Sequence, residues 1–232
     1  MPKRIHAIVR TVRALADEQG SNVSPSRLNA LLPTVSQELF NHFLGRPEDG
    51  TRQPAYQINT RVSVALWPFL KEQAYSTSEA AIAAGLARRM DAQGNLTAPS
   101  DLCYPTAIRV PGAKVAVDLL DDAQLDHRLN CPITGPTPEY PCAEMRPGFG
   151  WKLYGGADSC TVKYLAYPPE PKYAFTVDAD DNEVYDEANS VDTGWGRAHE
   201  PDLVARLLKY LGLSMREGMM QQAAQLLSQE ND

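Results

Sequence analysis

Apolar residues recur at helical spacing towards both ends of the chain and at closer, alternating spacing in its middle. From Lys3 to Gln19, a stripe of Ile5, Ile8, Val12 and Leu15, joined by Val9 and Ala16, leaves Lys3, Arg4, His6, Arg10 and Arg13 on the other faces. That pattern predicts an amphipathic helix, with Gly20 placed to stop it. Ser24 is the expected cap of a second helix that has Pro25 at its first position, where the missing amide hydrogen costs nothing. This helix should run through Leu28, Leu31, Leu32, Val35, Leu39, Phe40 and Phe43 to Gly45, with a kink at Pro33. A turn-rich loop covers residues 46–54. Helical spacing then returns from Tyr56 to Gln73 through Ile58, Val62, Ala65, Leu66 and Phe69, with Pro68 bending or ending it. An alanine-rich stretch from Thr77 or Ser78 to Met90 predicts one more short helix.

The polar loop at residues 91–100 reads as a linker, because the pattern changes beyond it to short segments punctuated by proline and glycine. Tyr104 to Val110, Lys114 to Leu119, Cys142 to Arg146, Gly150 to Tyr154 and Cys160 to Tyr167 are β-prone runs of this kind, and they predict a small sheet. Asp121 to Leu129 interrupts them as one helical excursion. Two further strands, Ala174 to Val177 and Glu183 to Tyr185, flank an acidic turn. From Pro201 the helical period resumes through Leu203, Val204, Leu207, Leu208 and Leu211 to Gly212, and a last helix is expected from Met215 to Gln229. The reading is α+β: a helical subdomain at 1–90, a central β-rich region at 101–198 carrying an acidic and proline-rich arm, and two C-terminal helices at 199–232 packing on the helical subdomain.

Charge sharpens this division. Residues 1–100 hold 11 Lys and Arg against 8 Asp and Glu, whereas residues 101–232 hold 11 against 21, so the net charge of −7 belongs to the second half. Nucleic-acid binding by the whole chain is therefore disfavoured; the basic face of the first helix reads first as a solvated face, with DNA or an acidic partner subunit as the alternatives. No apolar run approaches the roughly 20 residues that cross a bilayer, and the first residues lack the apolar core of a secretory signal, so a cytoplasmic site of synthesis and no membrane partner are expected. The four cysteines, at 103, 131, 142 and 160, are spaced by 28, 11 and 18 residues, without the Cys-x-x-Cys knuckle of a zinc site. They read as reduced thiols in or near a β core.

Candidate chemistry is sparse. The histidines at 6, 42, 127 and 199 are scattered, and Asp126 and His127, as neighbours on a helix, point apart. A hydrolase reading would have to rest on His127 or His199. No nucleophile elbow, phosphate loop or dinucleotide fingerprint is present, so no catalytic residue and no cofactor are assigned. Asp178, Asp180 and Asn182 match the alternate oxygen spacing that opens a calcium loop, but Glu183 stands where the sharp turn wants glycine and Asn189 where a bidentate glutamate would close the cage. The simpler reading of Asp178, Asp180, Asp181 and Glu183 is an acidic turn facing solvent.

The last third of the chain reads as a binding surface. A strand stops at Pro168-Pro169-Glu170-Pro171, which cannot enter a sheet interior and favours an extended course. Tyr164, Tyr167, Tyr173 and Trp195 lie close by in sequence, and aromatic residues supply large contact area at low entropic cost. Together with Pro168, Pro169 and Pro171 they form the candidate subunit interface.

Three patterns here, Lys163 to Tyr173, Tyr185 to Trp195 and Leu207 to Gly218 with the glutamine-rich stretch that follows, resemble a family of tailed-bacteriophage virion proteins of the neck and head-to-tail connector, as in crAss-like and related Bacteroidetes phages. A weaker echo is Cys131 to Pro141, where such proteins have a serine- or proline-rich link into a β segment. The chain departs from the family at Gly194-Trp195-Gly196, where an acidic residue is expected before the tryptophan. The resemblance implies a non-enzymatic virion subunit, assembled in the host cytoplasm as a ring of copies of itself, with twelvefold symmetry to match a portal. Its implied partners are the portal protein and adjacent neck or tail proteins, with transient contact to packaged DNA, which the acidic turn would repel from the channel wall. Alternatives are a minor capsid or tail-associated protein and a DNA-binding regulator.

Overall fold

The computed structural model describes residues 3–18, 23–45, 64–146, 150–178 and 183–212. The chain is an α+β protein with helices towards both ends and β structure in the centre, and it divides into two compact units. One, here the helical unit, combines Met1–Pro68 with Pro168–Asp232; the other, the β unit, is the continuous stretch Phe69–Tyr167. The divisions therefore fall at residues 68 and 168, not at 90–101 and 198.

In the helical unit, α1 (Arg4–Glu18) buries Ile5, Ile8, Val9, Val12 and Ala16 on one stripe, as its spacing predicts. In α2 (Pro25–Phe43) the Ser24 hydroxyl accepts from the Arg27 amide, and the helix runs on through Pro33 to bury Leu28, Leu32, Val35, Leu39 and Phe40. Gly45 ends it with φ +77°, a left-handed conformation that glycine adopts without strain. Near the C-terminal end, Glu200–Tyr210 forms a helix, named α5 below, that packs on both α1 and α2 through Leu203, Leu207 and Leu208. The described residues of this unit also include a two-stranded ribbon and a 3-10 turn at Arg197–His199. The expected helix from Met215 to Gln229 lies outside the described residues.

The expected helix through Gln73 does not extend that far. Trp67–Phe69 is a single 3-10 turn, and Leu70–Ser76 is a strand, β1. Lys71, Glu72, Gln73 and Ala74 are good helix formers, but all seven residues of β1 pair with Ser159–Ala166 (β8) in antiparallel register, from Leu70 opposite Leu165 to Ser76 opposite Ser159. A complete ladder outweighs a local preference worth a few tenths of a kcal/mol, of the order of ~0.5, per residue. The alanine-rich stretch likewise gives only Glu79–Ala83 (α3), none of it buried; Gly85, at φ +69°, follows it, and Arg88–Arg89 (β2) then pairs parallel with β1.

The predicted linker is part of the core. Asn95–Thr97 forms β3, Leu96, Ala98 and Pro99 are buried, and the Asp91 carboxylate holds the preceding turn by accepting from the amides of Gln93 and Asn95 at 2.9 and 2.7 Å. Gly94 is required in that turn: its φ is +80°, and a Cβ there would lie 2.4 Å from the Leu153 carbonyl oxygen.

The other elements of the β unit are β4 (Leu102–Arg109), β5 (Asp118–Leu120), α4 (Asp122–Leu129), β6 (Cys142–Arg146) and β7 (Gly150–Tyr154). They complete two four-stranded sheets, ordered β2-β1-β8-β4 and β3-β7-β6-β5. Tyr75, Ile108, Cys160 and Val162 of the first sheet share one apolar core with Leu96, Ala143, Trp151 and Leu153 of the second. Pro105 sits in the edge strand β4 beside a register shift, where a missing amide hydrogen is tolerated. Among the described residues, no helix is long and apolar enough to cross a membrane.

Candidate interaction sites

The stretch from Pro168 to Trp195 was expected to reach outwards; its described residues instead form a clasp on α1 and α2, with Pro171, Tyr173, Ser190, Thr193 and Trp195 buried. Pro168, Pro169 and Glu170 run beside Pro33, Thr34, Gln37 and Asn41 of α2. The Tyr173 backbone is bracketed by one side chain, its amide donating to Asn29 Oδ1 at 2.7 Å and its carbonyl accepting from Asn29 Nδ2 at 2.8 Å. Lys172 and Val191 exchange two backbone hydrogen bonds, and the Ser190 hydroxyl links the Ala174 amide to the Asp186 carbonyl.

The clasp also caps α1. No acidic residue stands in the first turn of that helix. Its free amides are met instead by Asp192, whose carboxylate accepts from Ile5 at 3.1 Å and Arg4 at 3.3 Å. A carboxylate at a helix N-terminus also faces the positive end of the helix dipole. The Lys3 ammonium donates to the Ser190 carbonyl, and the Arg4 guanidinium to that of Trp195 at 2.8 Å.

These contacts correct the predicted interface. Trp195 is 2% exposed, its indole N–H donates to the buried Ser36 hydroxyl at 3.0 Å, and its ring meets Phe43 and His199. Tyr173 and Pro171 are buried as well. In the β unit, Tyr164 is buried on β8 with its hydroxyl 3.2 Å from Asp101. These side chains are spent on the cores of their own units. Tyr167, 39% exposed, stays at the surface with Pro169 and the half-buried Pro168.

The ribbon pairs Phe175–Val177 (β9) with Glu183–Tyr185 (β10). The Tyr185 ring stacks on His6 at 4.3 Å and on Tyr173 at 5.2 Å, and Glu183 forms an ion pair with Arg13. Of the acidic turn, Asp178 is exposed, and Asp180 and Asp181 lie outside the described residues. Asp186 serves the fold: the Asn189 side chain and the amides of Asn189 and Ala188 donate to its carboxylate and hold it below the usual carboxylate range. Among the described residues, no group of three or more His, Cys, Asp and Glu could hold a metal ion. The basic face of α1 is also largely engaged, since Lys3, Arg4 and Arg13 all bind the clasp or the ribbon, and Arg10 remains exposed.

The four cysteines are free thiols. Burial pushes Cys160 up to about 12, whereas the Thr134 hydroxyl, then the amides of Ile133 and Thr134, draw the Cys131 thiol below its ordinary value.

Sequence reasoning missed the exposed apolar corner of the β unit. Ile133 is 93% exposed and Tyr140 45%, both on an open groove of about 720 Å³ between α4 and the loop that follows it. The available signal was an isolated isoleucine in the proline-rich run from Cys131 to Pro141. The chain matches no protein-family model and none of the curated proteins.

Proposed function

We propose that this chain is a non-enzymatic virion subunit of the head-to-tail connector type, joining portal to tail as one member of a ring around the DNA channel. The observation that carries the reading is that the described part of the patterns behind the resemblance folds together from Pro168 onward, whereas residues 163–167 belong to the β unit. Lys172, Tyr173, Tyr185 and Ser190 to Trp195, together with Leu207 and Leu208, fold into the same unit and hold α1 and α2 in one arrangement. Residues that meet on α1 and α2 in this way form one preformed scaffold, which supports a structural role. The role of such a subunit is positional: a preformed body presents surfaces to its neighbours, and a repeated head-to-tail contact between copies closes a ring when its rotation divides the circle.

The DNA-binding alternative has less support, because Lys3 and Arg4 donate to backbone carbonyls within the helical unit and Arg13 is ion-paired with Glu183. The deciding experiment is cryo-electron microscopy of purified virus particles from the source. Density for this chain as a ring at the portal–tail junction is the expected result. Density elsewhere in the particle would replace the connector role with a minor capsid or tail role, and absence from particles would sink the virion reading.

A further inference from the structure

Ile133 is the most exposed large apolar side chain among the described residues, and it is held there by an anchored loop. Pro132, Pro136, Pro138 and Pro141 restrict the backbone. Thr137 and Tyr140 bond each other's backbone, Lys114 donates to the Glu139 carbonyl at 3.0 Å, and Arg128 Nε donates to the Thr134 carbonyl at 3.2 Å. An isoleucine presented to water by a restrained loop contributes nothing to the unit's own core, and with Tyr140 on the same groove it offers an apolar contact. The groove beside it is floored by Ala123 and His127, which also line an adjoining hollow of about 590 Å³ walled by Asp126.

The charge around the groove identifies the kind of partner. Residues 114–141 contain Asp118, Asp121, Asp122, Asp126 and Glu139 against Lys114 and Arg128. Both cations are already paired, Lys114 with Glu139 and Arg128 with Asp118, each at 2.6 Å. Asp121 is occupied as the cap of α4, accepting from Gln124 at 2.8 Å. Asp122 and Asp126, exposed and one turn apart on α4, form an acidic rim on the side of the adjoining hollow, which Asp126 walls, and neither is paired with Lys114 or Arg128.

We propose that this corner of the β unit docks a cationic segment of another protein, whose apolar side chains seat on Ile133 and Tyr140 while its Lys or Arg side chains reach Asp122 and Asp126. A second copy of the chain, itself carrying a net charge of −7, is the poorer electrostatic match. The proposal concerns the surface alone and stands whether or not the chain is a virion subunit.

The test uses the full chain and two synthetic peptides, one with leucine and lysine at helical spacing and one with glutamate replacing each lysine. Fluorescence anisotropy should show the lysine peptide binding and the glutamate peptide not. Ile133→Asp should weaken the lysine peptide by about tenfold or more, the loss expected for one buried aliphatic side chain. Diffuse attraction to an acidic protein would instead leave that variant binding as well or better, since it adds a negative charge, and that outcome overturns the proposal. Joint replacement Asp122→Lys and Asp126→Lys should also weaken binding; unchanged affinity would remove the acidic rim from the argument and overturn the cationic partner. Because Ile133, Asp122 and Asp126 are exposed, these variants keep the fold. Sedimentation of the wild type should show no association lost in Ile133→Asp, because such an association would make a second copy the occupant.

Discussion

In the β unit the backbone pairs with itself: β8 lies between β1, in residue-by-residue register, and β4, whose register shifts twice, and a single apolar core is shared by the two sheets. In the helical unit, the chain from Pro168 to Gly196 has one three-residue ribbon and one isolated bridge. Side chains replace the missing ladder there, with Asn29 bracketing Tyr173, Asp192 capping α1 and Trp195 reaching Ser36. Ladders set register through the two-residue period, so many substitutions along a strand leave it unchanged. A clasp of single hydrogen bonds depends on each contact, so the helical unit should be the more easily broken by one substitution.

The largest expected effect is that of Trp195→Ala. It empties a buried site and leaves the Ser36 hydroxyl unpaired, which should cost about 3–5 kcal/mol in the helical unit. Thermal unfolding should show the loss. The Cys160 thiol, buried in the β unit and pushed up to about 12, should stay as slow to alkylate as in the wild type. Faster Cys160 labelling would mean that the two units unfold as one, and the comparison would fail.

A matched pair of substitutions sharpens the contrast. Trp195→Phe and Trp151→Phe remove similar volume from buried sites, but the Trp195 indole N–H is bonded to Ser36, whereas that of Trp151 is buried with no partner among the described residues. Trp195→Phe should therefore cost more, by about 1–3 kcal/mol, the penalty of an unmade buried hydrogen bond. Denaturation midpoints of the two variants measured side by side decide it, and equal midpoints would show that the clasp bond adds nothing.

Asp192→Ala should cost about 1 kcal/mol, as for other helix caps, with hydrogen exchange rising at the first turn of α1. Exchange confined to residues near Asp192 and absent from Arg4 and Ile5 would refute the capping role.

The smallest effect lies in acid. Burial raises the Asp101 carboxyl, but the Lys71 hydrogen bond and charge and the Tyr164 hydroxyl outweigh it and hold the group below its ordinary value. A carboxyl lowered in the folded state adds stability above its unfolded pKa, about 3.9, and loses it as pH falls through the lower folded value. Wild type should thus weaken below about pH 4, and Asp101→Asn should flatten that decline in the β unit slightly, because the pair is partly exposed and screened by solvent. Urea midpoints across the acid range give the slope.

Much of the fold was legible because its signals are local. The Ser24–Pro25 cap, the stripe of α1, the helical excursion that becomes α4 and the strands Cys142–Arg146, Gly150–Tyr154 and Glu183–Tyr185 are where residue spacing places them. The candidate interface was less legible. An aromatic residue in a proline-rich stretch carries the same sequence signal whether it faces a partner or its own core, and Trp195 and Tyr173 face the core. Ile133, alone among prolines and threonines, has no periodic pattern to mark it.

The sequence alone determined the α+β class, the faces of the helices, the turns that demand glycine and the acidic balance of the second half, because each depends on residues within a turn or two of one another. Tertiary structure alone decided that Leu70–Ser76 is a strand, that residues 91–100 belong to a core, and that Asp192 caps a helix at the opposite end of the chain. The partners that settle these matters, β8, β7 and α1, are distant in sequence. A residue's conformation is then set by what the folded chain brings against it, and a ladder or a cap across the fold outweighs the weak preferences of its neighbours.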